Sequence, residues 1–459
     1  MKIYHTNDIH SNFEFFKKAS AYINENKKDE DLYLDSGDFA DLSNFIVQAD
    51  RGQSALKLAF SFKLDAMAIG NNELDLGYDA VSYLVNKFPL ISANVTDGTG
   101  NKIEGLNGSI SIKKNDINFL VIALSPYFNS HFRAGAYNDF LKNGNLLTTD
   151  PFEAIERELE ANKGKYDYLI LLSHSGLWMD EIFIKKYPQI DLILGGHSHD
   201  VWIDRKYSQS GRGENLGIID LSIIDKKITI ESIDHKYLDE KENMKFDEIY
   251  KSKSDLATNI LSQEIAAVDS LSYEPYEECQ LINFICDSIL DEMSGDLAIM
   301  HNGIANHSLV KPISRLTLLD TIPSKLNPTK YKVKGSDILE AISLSQDQDY
   351  IRRPSRGPGF RGTIIGDLSF SSNVKIQEDP LKVTIDNEEL DPVKEYTIVS
   401  HDYIQRGSIY PSLKTENKNA TWHKLFIRDL MEKYLNNQDI FDRSLIKRKY
   451  PNKTHFSRK

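Results

Sequence analysis

Short apolar runs closed by turn residues punctuate the first half of the chain: Ile3-Tyr4, Leu32-Tyr33-Leu34, Ala66-Met67-Ala68-Ile69, Leu169-Ile170-Leu171-Leu172 and Leu192-Ile193-Leu194. Runs of this length without polar alternation predict strands buried on both faces. Between them, Phe15, Phe16, Ala19, Tyr22 and Ile23 recur at helical spacing, as do Leu56, Ala59 and Phe60, and then Val81, Leu84 and Val85. These stripes predict core-facing helices, and their aromatics are assigned to packing. Strand and helix therefore alternate from residue 1 to about 235, an α/β layout in which chemistry belongs to the loops beyond strand carboxyl ends.

The pattern changes near Asp239. From there to Lys253 the chain is highly charged and loses strand character, and Leu256, Ile260, Leu261, Ile265 and Val268 then restore a helical period. This predicts a linker and connecting helix over 236–270, and a second domain over 271–459. Within that domain the periodicity predicts a helix over Leu281–Met293, a strand over Leu297–Met300 and a helix over Trp422–Leu435. The basic end, with Lys447, Arg448, Lys449, Lys453, Arg458 and Lys459, reads as a solvated tail.

Composition narrows the picture. The 459 residues exceed what one core usually supports, and 40% hydrophobic with 27% charged residues is ordinary for a globular enzyme. A formal net charge of -13 argues against a polymeric nucleic acid as partner. It leaves room for a small phosphorylated substrate, because bound cations reverse the local field. No secretory leader is expected ahead of His5-Thr6-Asn7-Asp8, and no run reaches the roughly eighteen apolar residues of a membrane span. The expectation is a cytoplasmic protein. Cys279 and Cys286 lie seven apart in a helical pattern, about 10 Å apart along a helix axis, and are read as buried free thiols of a reducing compartment.

Five loops after predicted strands carry Asp8 and His10, then Asp38, then Asn71, then His174, and finally His197 and His199. Singly, each has a plain explanation as a turn, a cap or a satisfied polar side chain. Together they form a carboxylate, imidazole and amide set that suits Mn²⁺, Fe²⁺, Co²⁺, Ni²⁺ or Zn²⁺ better than an all-oxygen cage.

The segments His5-Thr6-Asn7-Asp8-Ile9-His10, Gly37-Asp38, Gly70-Asn71-Asn72-Glu73, Ser173-His174 and Gly195-Gly196-His197-Ser198-His199 resemble calcineurin-like metallophosphoesterase motifs. More narrowly they resemble the bacterial 5′-nucleotidase, UDP-sugar hydrolase and 2′,3′-cyclic phosphodiesterase group, whose C-terminal domain is matched by Asn302-Gly303 and by Leu390–Thr397. The resemblance implies a four-layer α/β/β/α sandwich followed by an α+β nucleotidase domain. It also implies two divalent metal ions, with Asp8, His10 and His199 on one, Asn71, His174 and His197 on the other, and Asp38 bridging. A metal-activated water would attack the phosphorus. His5 is expected to support its loop, and Asn7 to stand behind the ligands.

Where the family has Gly-Asn-His-Glu, with the histidine paired to an aspartate three residues on, this chain has Asn72 and Asp75. An asparagine at that catalytic position can donate a hydrogen bond toward the phosphoryl group but cannot protonate a leaving oxygen. For the substrate, the resemblance points to Tyr403 and to Phe360 as a pair of base-stacking aromatics, with Arg356 and Arg361 directed at phosphate. The alternative for that Arg-rich loop is a solvated surface. The family's arginine after Asn-Gly is absent from Asn302-Gly303-Ile304-Ala305-Asn306, and Pro323-Ser324 replaces its Pro-Phe pair. The expected function is hydrolysis of small phosphate esters, nucleotides foremost, as monoesterase or cyclic phosphodiesterase. The alternative is a metal- and nucleotide-binding sensor whose turnover went with the histidine.

Overall fold

The computed structural model describes residues 1–127, 141–142, 144–225, 227–357 and 359–450. The described residues divide into two compact units, one of residues 1–127 and 141–258 and the other of residues 259–450.

The first unit stacks two six-stranded sheets. One has the order Lys227–Tyr237, Asn215–Ile224, Lys2–Thr6, Leu32–Asp35, Ala66–Ala68, Leu90–Ile91; the other Val201–Asp204, Tyr207–Ser210, Leu192–Gly195, Tyr168–Ser173, Ile117–Leu124, Ser109–Lys114. The five strands read from the apolar runs are all present, and in the first sheet Ile3 pairs with Leu32 and Leu34 with Ala66 in parallel register. Alternation within each run explains why it is wholly apolar. Leu192 and Leu194 face the other sheet, in a core shared with Ile3, Leu32, Leu34, Ile170 and Leu172, whereas Ile193, Leu169 and Leu171 face the outer helices Pro151–Ala161 and Leu177–Lys186. On the far side, helix Phe13–Asn26 packs Phe16 edge-on against Phe39 and Phe62. The layers are therefore helix, sheet, sheet, helix, the expected α/β sandwich.

The helix Met244–Leu261 begins within the charged stretch read as linker. Its Phe246 is 3% exposed and stacks on Tyr250, so two aromatics carry its packing against Phe13 and Phe16 although the surrounding residues are charged. The helix also stops earlier than its predicted period: Glu264–Ala266 is a strand pairing with Ile313–Ser314, which places Ile265 outside it.

The second unit is α+β. A mixed five-stranded sheet runs Leu368–Phe370, Leu297–His301, Glu395–His401, Pro328–Lys334, Ala420–Trp422, beside a four-stranded sheet of Glu388–Glu389, Leu381–Ile385, Val374–Glu378 and Lys449–Tyr450. The helix Gln280–Met293 lies buried in its core, and Cys279 and Cys286 are free and buried. The helix expected over Trp422–Leu435 is instead a strand, Ala420–Trp422, followed by a helix over Ile427–Tyr434, because Trp422 pairs with Thr329 at the sheet edge. Among the described residues no helix is long and apolar enough to cross a membrane.

Candidate metal centre

The seven residues expected as metal ligands all follow strands of the first unit. Asp8 and His10 come after Lys2–Thr6, Asp38 after Leu32–Asp35, Asn71 opens a short helix after Ala66–Ala68, His174 follows Tyr168–Ser173, and His197 and His199 follow Leu192–Gly195. Both sheets thus contribute, and the side chains meet. His199 Nε2 lies 3.4 Å from Asp8 Oδ1 and 3.1 Å from His10 Nε2. His174 Nε2 lies 3.3 Å from Asp38 Oδ1 and 3.8 Å from Asp8 Oδ1. His197 Nδ1 is 2.9 Å from Asn71 Oδ1. Asp8, His10 and His199 form one compact donor group and Asp8, Asp38 and His174 another. Asp38 touches His10 at 3.6 Å as well as His174, so it stands between the two expected sets, and Asp8 shares that central place.

The backbone is held out of its usual basins at these positions. Asp8, His10, Asp38, His197 and His199 all have left-handed φ, at 50°, 46°, 57°, 76° and 60°. Such conformations cost free energy in residues with a Cβ and cluster where a surrounding structure imposes them for function. Here the loops hold one another: the Asp8 amide donates to the Gly37 carbonyl and the His10 amide to the Asp38 carbonyl. Gly70 is required, since a Cβ there would stand 2.3 Å from Asp38 Oδ1.

Whether these donors fit cations is decided by their lone pairs. His174 Nδ1 donates to the Ser36 carbonyl at 2.6 Å, which leaves Nε2 buried, without a hydrogen-bond partner, and aimed at two carboxylates. His10 is arranged alike, its Nδ1 3.3 Å from Asp41 Oδ2 and its Nε2 toward Asp8, Asp38 and His199. Imidazole nitrogens facing buried carboxylates in a dry site need positive charge between them, a proton in the metal-free protein or a cation, so the set fits metal ions. The titration tendencies agree. Burial works against charge on His174, yet Asp38 and Asp8 lift its pKa to about 10. Burial opposes ionisation of Asp38 and Asp8, but the facing histidines more than offset it and hold both below the usual carboxylate range. His197, surrounded by burial and by His174, falls to about 4. Among the described residues the cluster is most open at His199, whose side chain is 37% exposed, against 10% for His10 and 0% for His174.

Supporting residues lie behind these donors. Asn7 donates to Asp8 Oδ2 at 2.8 Å, and His5 binds Ser36 Oγ, the places expected for them. Asp41 and Glu73 escaped the sequence reading. Glu73 receives the amides of Asp38, Ala40 and Gly70, tying two ligand loops together, and its position after Asn72 in the Gly-Asn-x-Glu motif was the available signal. Asp41 sits three residues past Asp38 with no motif to mark it.

Asn72, expected as a donor toward the phosphoryl group, has its side-chain and backbone amides directed at Asp38 in this structure. Its Nδ2 lies 2.5 Å from Asp38 Oδ2 and 3.2 Å from His10 Nδ1, and its backbone amide also donates to Asp38, so it serves the central carboxylate. Asp75 caps the short helix Asn71–Leu74, half-buried, its amide donating to the Asn71 carbonyl.

The substrate-reading residues of the second unit are brought together but closed. Phe360 and Tyr403 stack on each other with centroids 5.0 Å apart and planes 8° apart, which leaves no slot for a base between them. Both are buried, and the Tyr403 hydroxyl is used by the Arg356 carbonyl and Ser355. Gly357 permits this packing, since a Cβ would meet the Tyr403 ring at 2.3 Å. In this structure the pair forms a packed contact beside a buried histidine pair, its apolar surface removed from water. Arg356 is exposed, and Arg361 donates its amide to Ser324 Oγ and Nη1 to the Phe360 carbonyl.

Comparison with known proteins agrees with the geometry. Residues 1–201 match the family described as calcineurin-like phosphoesterase, and residues 261–414 match the 5′-nucleotidase C-terminal domain. The chain is 24% identical to the uncharacterized metallophosphoesterase YunD of Bacillus subtilis, over 94% of this chain and 98% of that protein. It is 28% identical to mouse 5′-nucleotidase over 43% of this chain and 38% of that protein. Among solved structures, the NAD nucleotidase of Haemophilus influenzae matches with a TM-score of 0.64 at 14% identity, covering 99% of this chain and 97% of that one. A putative 5′-nucleotidase from Staphylococcus aureus matches with a TM-score of 0.63 at 15% identity, over 98% and 99% of the two chains. At such identities the structural likeness speaks for the fold.

Proposed function

We propose that this chain, matched by the calcineurin-like phosphoesterase family over residues 1–201 and by the 5′-nucleotidase C-terminal domain over residues 261–414, hydrolyses small phosphate esters, nucleotides foremost, at a dinuclear centre held by Asp8, His10, Asp38, Asn71, His174, His197 and His199. The observation that carries the reading is the convergence of imidazole nitrogens on Asp8 and Asp38, in loops whose backbone is strained at five of these residues. Nitrogen and oxygen donors of this kind suit Mn²⁺, Fe²⁺, Co²⁺, Ni²⁺ or Zn²⁺.

Two such ions, when bound, supply charge neutralisation for the phosphate and an acidified water as nucleophile. The protein's own part is positional. Ser36 holds the His174 proton on Nδ1, and Asp41 orients His10 from behind. Asn72 fixes Asp38 through both its backbone and its side-chain amide. Since an amide cannot give up a proton to a leaving oxygen, esters whose leaving groups depart unprotonated should be favoured. The sensor alternative draws no support from the relatives or from the site.

The test is turnover of p-nitrophenyl phosphate and 5′-AMP by the full chain with added Mn²⁺, beside elemental analysis of wild type and Asp38→Asn. Asp38→Asn should lose bound metal and at least roughly 10²–10³ of kcat together. Full metal occupancy in that variant would remove Asp38 from the centre. Absence of turnover by a fully loaded wild type on every ester tried would defeat the hydrolase reading.

A further inference from the structure

The second unit carries a cavity of about 720 Å³, within the range of small-molecule sites, lined from Ser272 to Lys449 by that unit alone. The chain's basic end, read from the sequence as a solvated tail, helps to build it. Arg448 is buried against Asp287 of the helix Gln280–Met293, and the Lys449 ammonium sits 2.6 and 2.7 Å from the two oxygens of Asp367. Glu278 accepts the amides of Arg448 and Lys449 at 2.7 and 3.0 Å, and Asn283 Nδ2 at 3.1 Å. Within this network one buried atom stays unpartnered. Asn283 is 3% exposed and lines the cavity, its Nδ2 donates to Glu278 and to the Ser444 carbonyl, and its Oδ1 has no partner. Both partners of Nδ2 are acceptors, so the amide cannot be turned over, and the remaining atom is an acceptor that requires a donor.

The charge of the wall says what kind of donor. Glu277, Glu278, Asp367 and Glu378 line the cavity together with Lys447 and Lys449. Lys449 is matched by Asp367, and Glu278 by three N–H groups, which leaves Glu277 and Glu378 against Lys447. Arg352 lies over the ring of Tyr276 at the cavity's edge, 4.0 Å from its centroid, and donates to Gln348. Counting it, four carboxylates still oppose three cations, and an anionic ligand is disfavoured. A bare metal ion is set aside as well: among the described residues, both groups of three metal-ligating donors within 4.8 Å of one another include Asp8, in the first unit. Leu445 and Ile446, 51% and 49% exposed, add an aliphatic lip. We propose that the cavity binds a small aliphatic amine, whose ammonium group donates to the acidic wall and the Asn283 acceptor and whose methylenes cover Leu445 and Ile446. The site shares no residue with the metal centre and does not depend on how that centre is read.

The test is calorimetry on the metal-loaded full chain with 1,4-diaminobutane and with 1,4-butanediol, which has the same carbon chain and no charge. The diamine should bind saturably, one per chain, and the diol should not. Glu277→Gln/Glu378→Gln keeps the shape of the wall, removes its unmatched charge and should weaken diamine binding at least about tenfold. Glu388→Gln/Glu389→Gln makes the same charge change on an exposed strand outside the cavity and should leave the affinity as in wild type. Asn283→Leu, which removes the acceptor at similar volume, should weaken binding as well; if that variant does not fold, the Glu277→Gln/Glu378→Gln pair decides alone. Equal weakening by the two glutamine pairs would mean attraction to the acidic surface at large and would overturn the proposal. So would unchanged affinity in Glu277→Gln/Glu378→Gln, equal affinity for diamine and diol, or the absence of saturable diamine binding.

Discussion

The two units each bury histidines, and they use them in opposite ways. In the first, His174 is wholly buried yet lies against Asp38 and Asp8, which lift its pKa to about 10. In the second, His301 and His401 are equally buried, 5.0 Å apart, packed against Phe360 and Tyr403, and pushed down, His301 to about 4 and His401 well below its usual value, by burial. His301 gives its Nδ1 proton to the Ile365 carbonyl, and His401 Nδ1 receives the amides of Tyr403 and Ile404 as the cap of a short helix. The same side chain is a cation seat where carboxylates face it and a neutral packing element where rings do. Burial alone therefore does not mark a functional histidine; the sign of its surroundings does.

The largest effect expected from this contrast is on metal removal. Ions bound to the folded first unit stabilise it by mass action, about 4 kcal/mol at a thousandfold excess over Kd. Chelation should consequently speed hydrogen exchange at the amides of Ile9, His10, Asp38 and His197 and leave those of Leu297–His301 and Ile398–Ile404 unchanged. Equal acceleration in both regions would erase the distinction.

A smaller effect follows from the neutral pair. The folded pKa of His301 lies below that of an unfolded histidine, so its contribution is fully present above about pH 6.5 and is lost as pH falls toward 4, up to about 3 kcal/mol. Metal-free His174 has the opposite sign: raised to about 10, it stabilises below pH 6.5 and loses that contribution as pH rises. Denaturant unfolding of the metal-loaded protein between pH 7 and 4.5 should thus show a shallower loss for His301→Gln than for wild type. Parallel pH profiles would mean that His301 is charged, or reached by water, in the native state.

The strands and the ligand loops could be read from the sequence because each depends on a few neighbouring residues: an apolar run, then Asp, Asn or His. What depends on distant pairing could not. The strands Ile117–Leu124 and Asn215–Ile224 are apolar enough to have been marked, but their places beside Tyr168–Ser173 and Lys2–Thr6 follow from sheet order, which no local pattern carries. Asp41 supports His10 only because the loop after Asp38 turns back. Family resemblance named Phe360 and Tyr403 together, yet it could not foresee that Gly357 lets them stack directly on each other. The first turns of the helix Met244–Leu261 were masked by their charges, amid which Phe246 and Tyr250 supply the aromatic packing.

Asn72 is where the smallest and most specific change is expected. Its Nδ2 lies 2.5 Å from Asp38 Oδ2, so the side chain steadies a central carboxylate and holds no titratable proton. A histidine there could keep a donor on Asp38 and offer a second nitrogen that titrates near neutral pH. General acids in evolved sites contribute about 10²–10⁴, but a proton placed without matched surroundings should deliver no more than about tenfold. The gain belongs to esters with poor leaving groups. For 5′-AMP, whose ribose alkoxide must be protonated, kcat/KM in Asn72→His should rise severalfold relative to p-nitrophenyl phosphate, whose phenolate departs unaided. Taking the ratio of kcat/KM values removes any change in metal loading common to both substrates. A ratio equal to that of wild type, with metal content preserved, would show that leaving-group protonation does not limit this centre and that Asn72 matters to it only through Asp38.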